Sequence, residues 1–480
     1  MGAERPSGEP VAHGSKADLL RDGWVGLIVT GDGTPQEERL LRLWPGVGLV
    51  VANMIGAGVL LSTGFMAQDM GPGTILAAWG VGAVVALAGA KAYAAVSTLI
   101  PRSGGEYRFL SELMHPAVGY AAGWTSLLVG FSAPIAVDAI AAGSFAQTLW
   151  EGLDARWLGA GLVAVLTLLH AIGLSSSQWT QNLLVILKSS LIVGFTVVGL
   201  IAGKHAWPTW QPAHRSDAFP LAAFMQSLFY IAFAFSGWNA AVYATEEFRE
   251  PRKTVPRAML IGCALVAILY LLVNWVFVAN LTPQQAAAVF VYESKRITLG
   301  HLIMKDLVGD LGARLMSLMA IALFVSAMSA MIFAGPRIYA AMAGDGFLPR
   351  VFEARRNRPP VGSILLQSAL TIVLIFTHPL QRVLQNVGAV LTLSAALTAF
   401  CLFRVRFGRS GLPPPSFGAL AAASVYVLSS AGMLYFGLRN SPLLAAWIAV
   451  ILLIAVAAYR LMPRRHRSLV HRDYSSLDRE

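Results

Sequence analysis

Apolar residues run along this chain in long blocks, without the mixed polar and apolar spacing of a soluble helix or strand. From about residue 44 to about residue 461, about twelve blocks of roughly 18–30 residues alternate with short stretches rich in Gly, Pro and charge. Each block is long enough for a hydrocarbon core about 30 Å thick. The pattern predicts an all-α integral membrane protein with 12 transmembrane helices in one domain. Spans 1 to 6 are expected at residues 44–65, 74–100, 119–150, 158–174, 182–202 and 221–243. Span 7 ends near residue 280, and spans 8 to 12 follow at 313–343, 362–378, 383–403, 416–437 and 442–461. A membrane β-barrel is excluded, because its strands of about 10 residues alternate apolar with polar positions.

Two blocks are interrupted near mid-span. Span 1 carries Asn53-Met-Ile-Gly-Ala-Gly-Val59, where Gly56 and Gly58 each cost a helix about 1 kcal/mol relative to Ala. Taken alone, the stretch reads as a helix break or as close helix packing at small residues. Span 6 carries Phe233-Ala-Phe-Ser-Gly-Trp-Asn239, with Ser236-Gly237 inside an aromatic run. Span 1 opens spans 1 to 5 and span 6 opens spans 6 to 10. Interruptions at corresponding places predict a five-plus-five inverted-repeat transporter with broken helices 1 and 6, the repeats covering about 44–203 and 220–405. Unwound backbone survives at membrane depth only where it faces protein or a watery cavity, and such a cavity is the expected binding site. As a dinucleotide fingerprint the first stretch fails, since position 61 is Leu and no strand precedes it.

Composition agrees with the membrane reading: 56% of residues are hydrophobic and 13% charged, against about 45–50% and 25% in soluble domains. The net charge of +11 could suggest nucleic acid. With the N-terminus cytoplasmic, however, most of the 36 Lys and Arg fall on the inner side, which makes the surplus a topology signal and puts both termini in the cytoplasm. The expected location is the cell membrane. Residues 1–43 are expected as a mostly disordered cytoplasmic tail without a cleaved signal peptide. Residues 44–462 are the transporter domain, and 463–480 a basic tail near the anionic inner leaflet. Pro101-Arg-Ser-Gly-Gly-Glu-Tyr107 reads as a tight turn leading into a short surface helix. Ser175–Trp179 reads as a loop, Glu246–Pro256 as a charged cytoplasmic loop, and 281–311 as the longest external loop. Cys263 and Cys401 lie inside apolar runs, so no disulfide framework is expected. No metal or cofactor site is expected either, and the lone His170 reads as an interface residue near a helix end.

Two ionisable residues lie inside spans, where a charge at the centre costs about 2.5–3.5 kcal/mol on insertion scales. Lys188 in span 5 therefore reads as functional rather than as a snorkelling structural lysine, with span 1 carbonyls and the span 8 hydroxyls of Ser326 or Ser329 as its expected partners. Asp138 in span 3 either pairs with Lys188 or faces a substrate.

Five stretches in order resemble the amino acid-polyamine-organocation transporters, and within them the L-type amino acid exchanger branch. They are Ile55-Gly-Ala-Gly-Val59, Pro101–Tyr107, Phe233–Asn239, Glu246-Glu-Phe-Arg-Glu-Pro-Arg-Lys-Thr-Val-Pro256 and Arg337-Ile-Tyr-Ala-Ala-Met-Ala-Gly-Asp-Gly-Phe-Leu-Pro349. The resemblance implies the inverted-repeat fold and transport of L-amino acids, small or neutral ones first, by exchange or proton symport. It places the substrate carboxylate on the N–H groups at Gly56, Ala57 and Gly58, and the amine on carbonyls near Met54, Phe233 and Ser236. Phe233 becomes an aromatic gate, Gly237, Trp238 and Asn239 line the side-chain pocket, and Lys188 stands where sodium-coupled relatives hold sodium. Three departures stand out. Ser236-Gly237 replaces a frequent Gly-Gly pair. The loop from Glu151 to Arg156 has no Cys, so no disulfide-linked heavy chain is expected. Asp138 lies in a region of span 3 where the neutral amino acid exchangers tend to be apolar, which opens a second reading, a carrier of cationic amino acids or polyamines. A transporter-like amino acid sensor is the alternative from another class.

Overall fold

The computed structural model describes residues 41–440 except 68, 151, 173, 213–218, 283–298, 354–358, 378–379 and 409–410, together with residues 446, 449–450, 453, 457 and 459–460. Of residues 174–182, 185, 380–386 and 440 it describes the backbone alone. The expected N- and C-terminal tails, most of span 12 and much of the 281–311 loop lie outside the described residues. What is described is helical throughout, with one isolated β-bridge between Leu41 and Phe248.

Span 1 is divided into α1 (Leu43–Met54) and α2 (Ala57–Met66). Then come α3 (Pro72–Leu99), α4 (Gly105–Leu113), α5 (Pro116–Gln147), α6 (Ala155–Ile172) and α7 (Leu174–Ala202). Span 6 is divided into α8 (Leu221–Phe235) and α9 (Ala240–Tyr243). The remainder is α10 (Pro251–Asn280), α11 (Leu299–Val308), α12 (Asp310–Gly344), α13 (Val361–Thr377), α14 (Leu380–Phe407) and α15 (Phe417–Asn440). Eight helical runs among the described residues are long and apolar enough to cross a membrane, and three shorter apolar helices accompany them.

The interruptions fall where the sequence placed them, but two boundaries and the interior of one helix differ. Residues 175–179 are helical and belong to α7; Ser and Trp are only middling helix formers, but Gln178 is a good one and the stretch holds no Gly or Pro to stop the helix. The charged loop ends at Glu250, because Pro251 opens α10 at the first position, where its missing N–H goes unneeded. Residues 126–132 of α5 form a wide π-type turn. Pro134 follows and cannot donate to the carbonyl four residues back, so the helix loosens one turn before it.

Lipid tails are as apolar as the side chains, so helix association rests on packing and hydrogen bonds. Leu168, Ile172, Ile201 and Leu428 point outward, exposed. Inside, α3 packs against α10, and α5 against the Ser- and Ala-rich face of α12. Trp79, Tyr93, Phe235 and Tyr270 fill the space beside the two interruptions.

Candidate functional site

At the first interruption Ile55 and Gly56 are extended, which frees carbonyls at the end of α1 and N–H groups at the start of α2. Protein groups fill both ends. Lys188, fully buried on α7, donates from Nζ to the carbonyl of Ala52 and, at 2.9 Å, to that of Ile55. The Tyr270 hydroxyl donates to the Met54 carbonyl at 2.6 Å. On the other side the Ala57 N–H donates to Oδ1 of Asp138 at 3.0 Å. An ammonium thus sits at the negative end of one half-helix and a carboxylate at the positive end of the next, which is the favourable sense for both. Hydrogen bonds to charged groups contribute about 1.5–3 kcal/mol each.

The expected span 1 partners of Lys188 are present, whereas the expected span 8 hydroxyls go elsewhere. Ser329 Oγ lies 2.9 Å from Nε2 of His170, and buried Ser326 Oγ has no partner among the described residues. Asp138 forms no direct ion pair with Lys188, and its carboxylate binds the interruption itself. Gly58 has a packing reason to be glycine: a Cβ there would lie 2.4 Å from the Cα of Ala234 on α8.

At the second interruption, Ser236–Asn239 make a turn closed by Ser236 N–H to Phe233 O (3.0 Å) and Ala240 N–H to Gly237 O (2.9 Å). Gly237 has φ 100° and approaches the Asn53 carbonyl so closely that a Cβ would stand 2.6 Å from it. Both features require glycine. Ser236, Gly237, Trp238 and Asn239 line a cavity of about 80 Å³ with Asn53, Phe131, Pro134 and Tyr243. The structure therefore brings these four predicted residues together. Met54 and Phe233 are buried in the core, and neither they nor Gly56, Ala57 and Gly58 belong to the cavity wall.

Sequence reasoning missed Glu106, in the first turn of α4. That turn was expected at the surface, yet Glu106 is buried and lines the same cavity. Its Oε1 accepts from Tyr93 OH (3.0 Å) and Asn239 Nδ2 (2.5 Å), and its Oε2 from Tyr243 OH (2.9 Å). Asn239 is therefore held by Glu106. The only sequence signal was a carboxylate inside a run of turn formers. Tyr243 also borders a wider cavity of about 440 Å³, which is lined by Glu246, Glu247, Glu353, Arg337 and His170 among others.

The loops quoted above clasp one another on this face. Leu41 and Arg249 exchange backbone bonds with Glu247 and Leu41 at 3.0 Å, and Glu246 N–H donates to Ser103 Oγ at 3.1 Å. Asp345 accepts from Tyr107 OH at 2.6 Å and pairs with Arg108 at 3.0 Å. Arg337 pairs with Glu247 at 3.5 Å.

The family model described as amino acid permease matches residues 41–467. The large neutral amino acids transporter small subunit 2 of Rattus norvegicus is 26% identical over 449 residues, covering 90% of this chain and 82% of its own length. The cystine/glutamate transporter of Homo sapiens is 27% identical over 448 residues, with 90% and 86% covered. The Asc-type amino acid transporter 1 of Mus musculus is 26% identical over 458 residues, with 90% and 83% covered.

Proposed function

The chain belongs to the amino acid permease family, a family of multi-pass membrane transporters and not of enzymes, and from that membership we propose that it is a sodium-independent secondary carrier of L-amino acids and their amine relatives. The observation that carries this reading is Lys188, whose ammonium lies on the Ala52 and Ile55 carbonyls. A cation-coupled carrier would offer such freed carbonyls to a metal ion; here a side chain uses them. The reading takes the twelve spans as a five-plus-five inverted repeat in the cell membrane with both termini cytoplasmic. The cavity bordered by Glu246, Glu247 and Arg337 is then the cytoplasmic vestibule, and the smaller one beside Ser236–Asn239 adjoins the substrate.

Small or neutral L-amino acids are the substrates this family reading takes first. Asp138 favours the second reading, cationic amino acids or polyamines, because its carboxylate stands at the interruption itself. The test is purified protein in sodium-free liposomes with a panel of labelled amino acids and amines. Uptake of at least one is expected. Acceleration by internal substrate would assign exchange, and acceleration by an inward proton gradient would assign symport. Absence of uptake and of binding across the whole panel would overturn the proposal.

A further inference from the structure

We propose that Glu106 is the proton-binding site of this carrier, taking up a proton together with the substrate and easing its hold on Asn239 as it does so. This deepens the carrier reading, rests on it, and assigns symport with protons.

Glu106 is 6% exposed and stands in the wall of the small cavity with the Ser236–Asn239 turn. Its partners are neutral: the Tyr93 hydroxyl and the Asn239 amide on Oε1, and the Tyr243 hydroxyl on Oε2. No Lys, Arg or His among the described residues forms an ion pair with it; Arg102 and Arg108 of the same segment turn to Glu112 and Asp345 at 3.6 and 3.0 Å. Of the helices packed on α4, neither α5 nor α14 brings it a charged partner, Arg404 of α14 being turned to the Met114 carbonyl at 3.2 Å. The titratable groups that face it are three tyrosines, Tyr93 on α3, Tyr243 on α9 and Tyr426 on α15. A buried carboxylate without a cation is the kind of group that relays protons in membrane transporters.

Asn239, Tyr243 and Glu106 form a closed ring with one sense. The Asn239 amide gives one hydrogen to Oε1 at 2.5 Å and the other to the Tyr243 oxygen at 2.9 Å, and the Tyr243 hydrogen goes to Oε2 at 2.9 Å. Tyr93 adds its hydrogen to Oε1 at 3.0 Å. Both hydroxyls thus point at the acid, an arrangement that fits its ionised form, which only accepts. A proton on Oε2 would meet the Tyr243 hydrogen, and the hydroxyl relieves this by turning, so that its oxygen accepts from the acid. That oxygen then has two donors, the acid and Asn239 Nδ2, where it had one. Loss of the charge also weakens the Asn239 bond to Oε1, since bonds to an ionised acceptor are roughly twice as strong as neutral ones. Asn239 both lines the small cavity and leads into α9, so the proton reaches the substrate space and the second half of span 6 through one side chain. Asp138 has no such switch, because its donor is a backbone N–H that cannot turn.

Tyr243 is the only one of the four residues that borders both cavities. In the wider one three carboxylates, Glu246, Glu247 and Glu353, outnumber Arg337, and such a wall draws cations. The proton leaves Oε2 past Tyr243 to water there, which returns Glu106 to the ionised form that the ring fits.

The experiment uses the purified full-length protein in sodium-free liposomes with a trapped pH indicator and the membrane potential clamped at zero. The labelled amino acid or amine that the wild type moves fastest is followed, with its proton flux, at equal pH and under an inward gradient of one pH unit. One proton per substrate supports about tenfold accumulation under that gradient. The wild type is expected to reach it and to acidify the lumen as substrate enters. Glu106→Gln, which is neutral at every pH, and Tyr243→Phe, which removes the hydroxyl between Oε2 and Nδ2, should lose both effects. Both should still exchange labelled for unlabelled substrate at equal pH, at a reduced rate. A wild type that exchanges substrate without proton flux overturns the inference and leaves the carrier reading standing. Gradient-driven accumulation in either folded variant also overturns it, because the proton then binds elsewhere. Loss of exchange as well as accumulation in both folded variants makes Glu106 part of substrate binding and overturns it too. A folded wild type that moves nothing in the panel overturns inference and carrier reading together. Where Glu106→Gln does not fold, Tyr243→Phe decides alone.

Discussion

The interruptions of span 1 and span 6 are written in similar small residues, Gly56-Ala57-Gly58 and Ser236-Gly237, yet their freed backbone groups are treated in opposite ways. At the first, charges of the protein bind both ends: Lys188 takes two carbonyls and Asp138 takes an N–H. At the second, no charged side chain is used: the turn closes on its own backbone bonds, the Tyr270 hydroxyl reaches the Ala234 carbonyl at 3.0 Å, and Gly237 presses against Asn53, while the residues around it border open space. A break in a membrane helix therefore does not by itself locate a ligand. What matters is which freed groups the protein has already used.

That contrast can be broken most forcefully at Lys188. Lys188→Met should leave the Ala52 and Ile55 carbonyls without partners, each worth about 1.5–3 kcal/mol. The expected result is a fall in the initial uptake rate of about a hundredfold, read in liposomes at matched protein content. Gly237→Ala comes next. It forces a side chain into φ 100° and against Asn53, and a thermal unfolding assay in detergent should show a loss of about 1–3 kcal/mol. Glu106→Gln is milder. It keeps the shape, removes the charge that Tyr93, Asn239 and Tyr243 address, and should slow transport about tenfold with insertion unchanged. Gly48→Ala is the smallest and sharpens the contrast. It lies in α1 with nothing within 4 Å of the added methyl, so the same thermal assay should show stability unchanged or raised by up to about 1 kcal/mol.

Much of the helical layout was legible because apolar block length and the Gly, Pro and charge between blocks are local signals. The two interruptions were legible for the same reason, and so was the position of Lys188, since a lone ammonium in an apolar run must find acceptors. What failed depended on contacts distant in sequence. Ser329 turned to His170, 159 residues away, and no periodicity foretells that. Glu106 looked like part of a surface turn because the burial of α4 comes from helices that follow it. Gly58 could be read as part of a break or as close packing, and only the fold shows that Ala234 of α8 stands against it. For Asp138 the sequence could state the cost of the charge but not which of three neighbours would meet it.

The occupied first interruption is tested most directly by the sodium dependence of transport. An ammonium on the Ala52 and Ile55 carbonyls occupies freed acceptors that a metal ion would use. Initial uptake of an accepted substrate into liposomes should therefore be the same in sodium and in choline buffer, with or without an inward sodium gradient. Strong stimulation of the wild type by that gradient would contradict the assignment of Lys188 as the resident cation of the site.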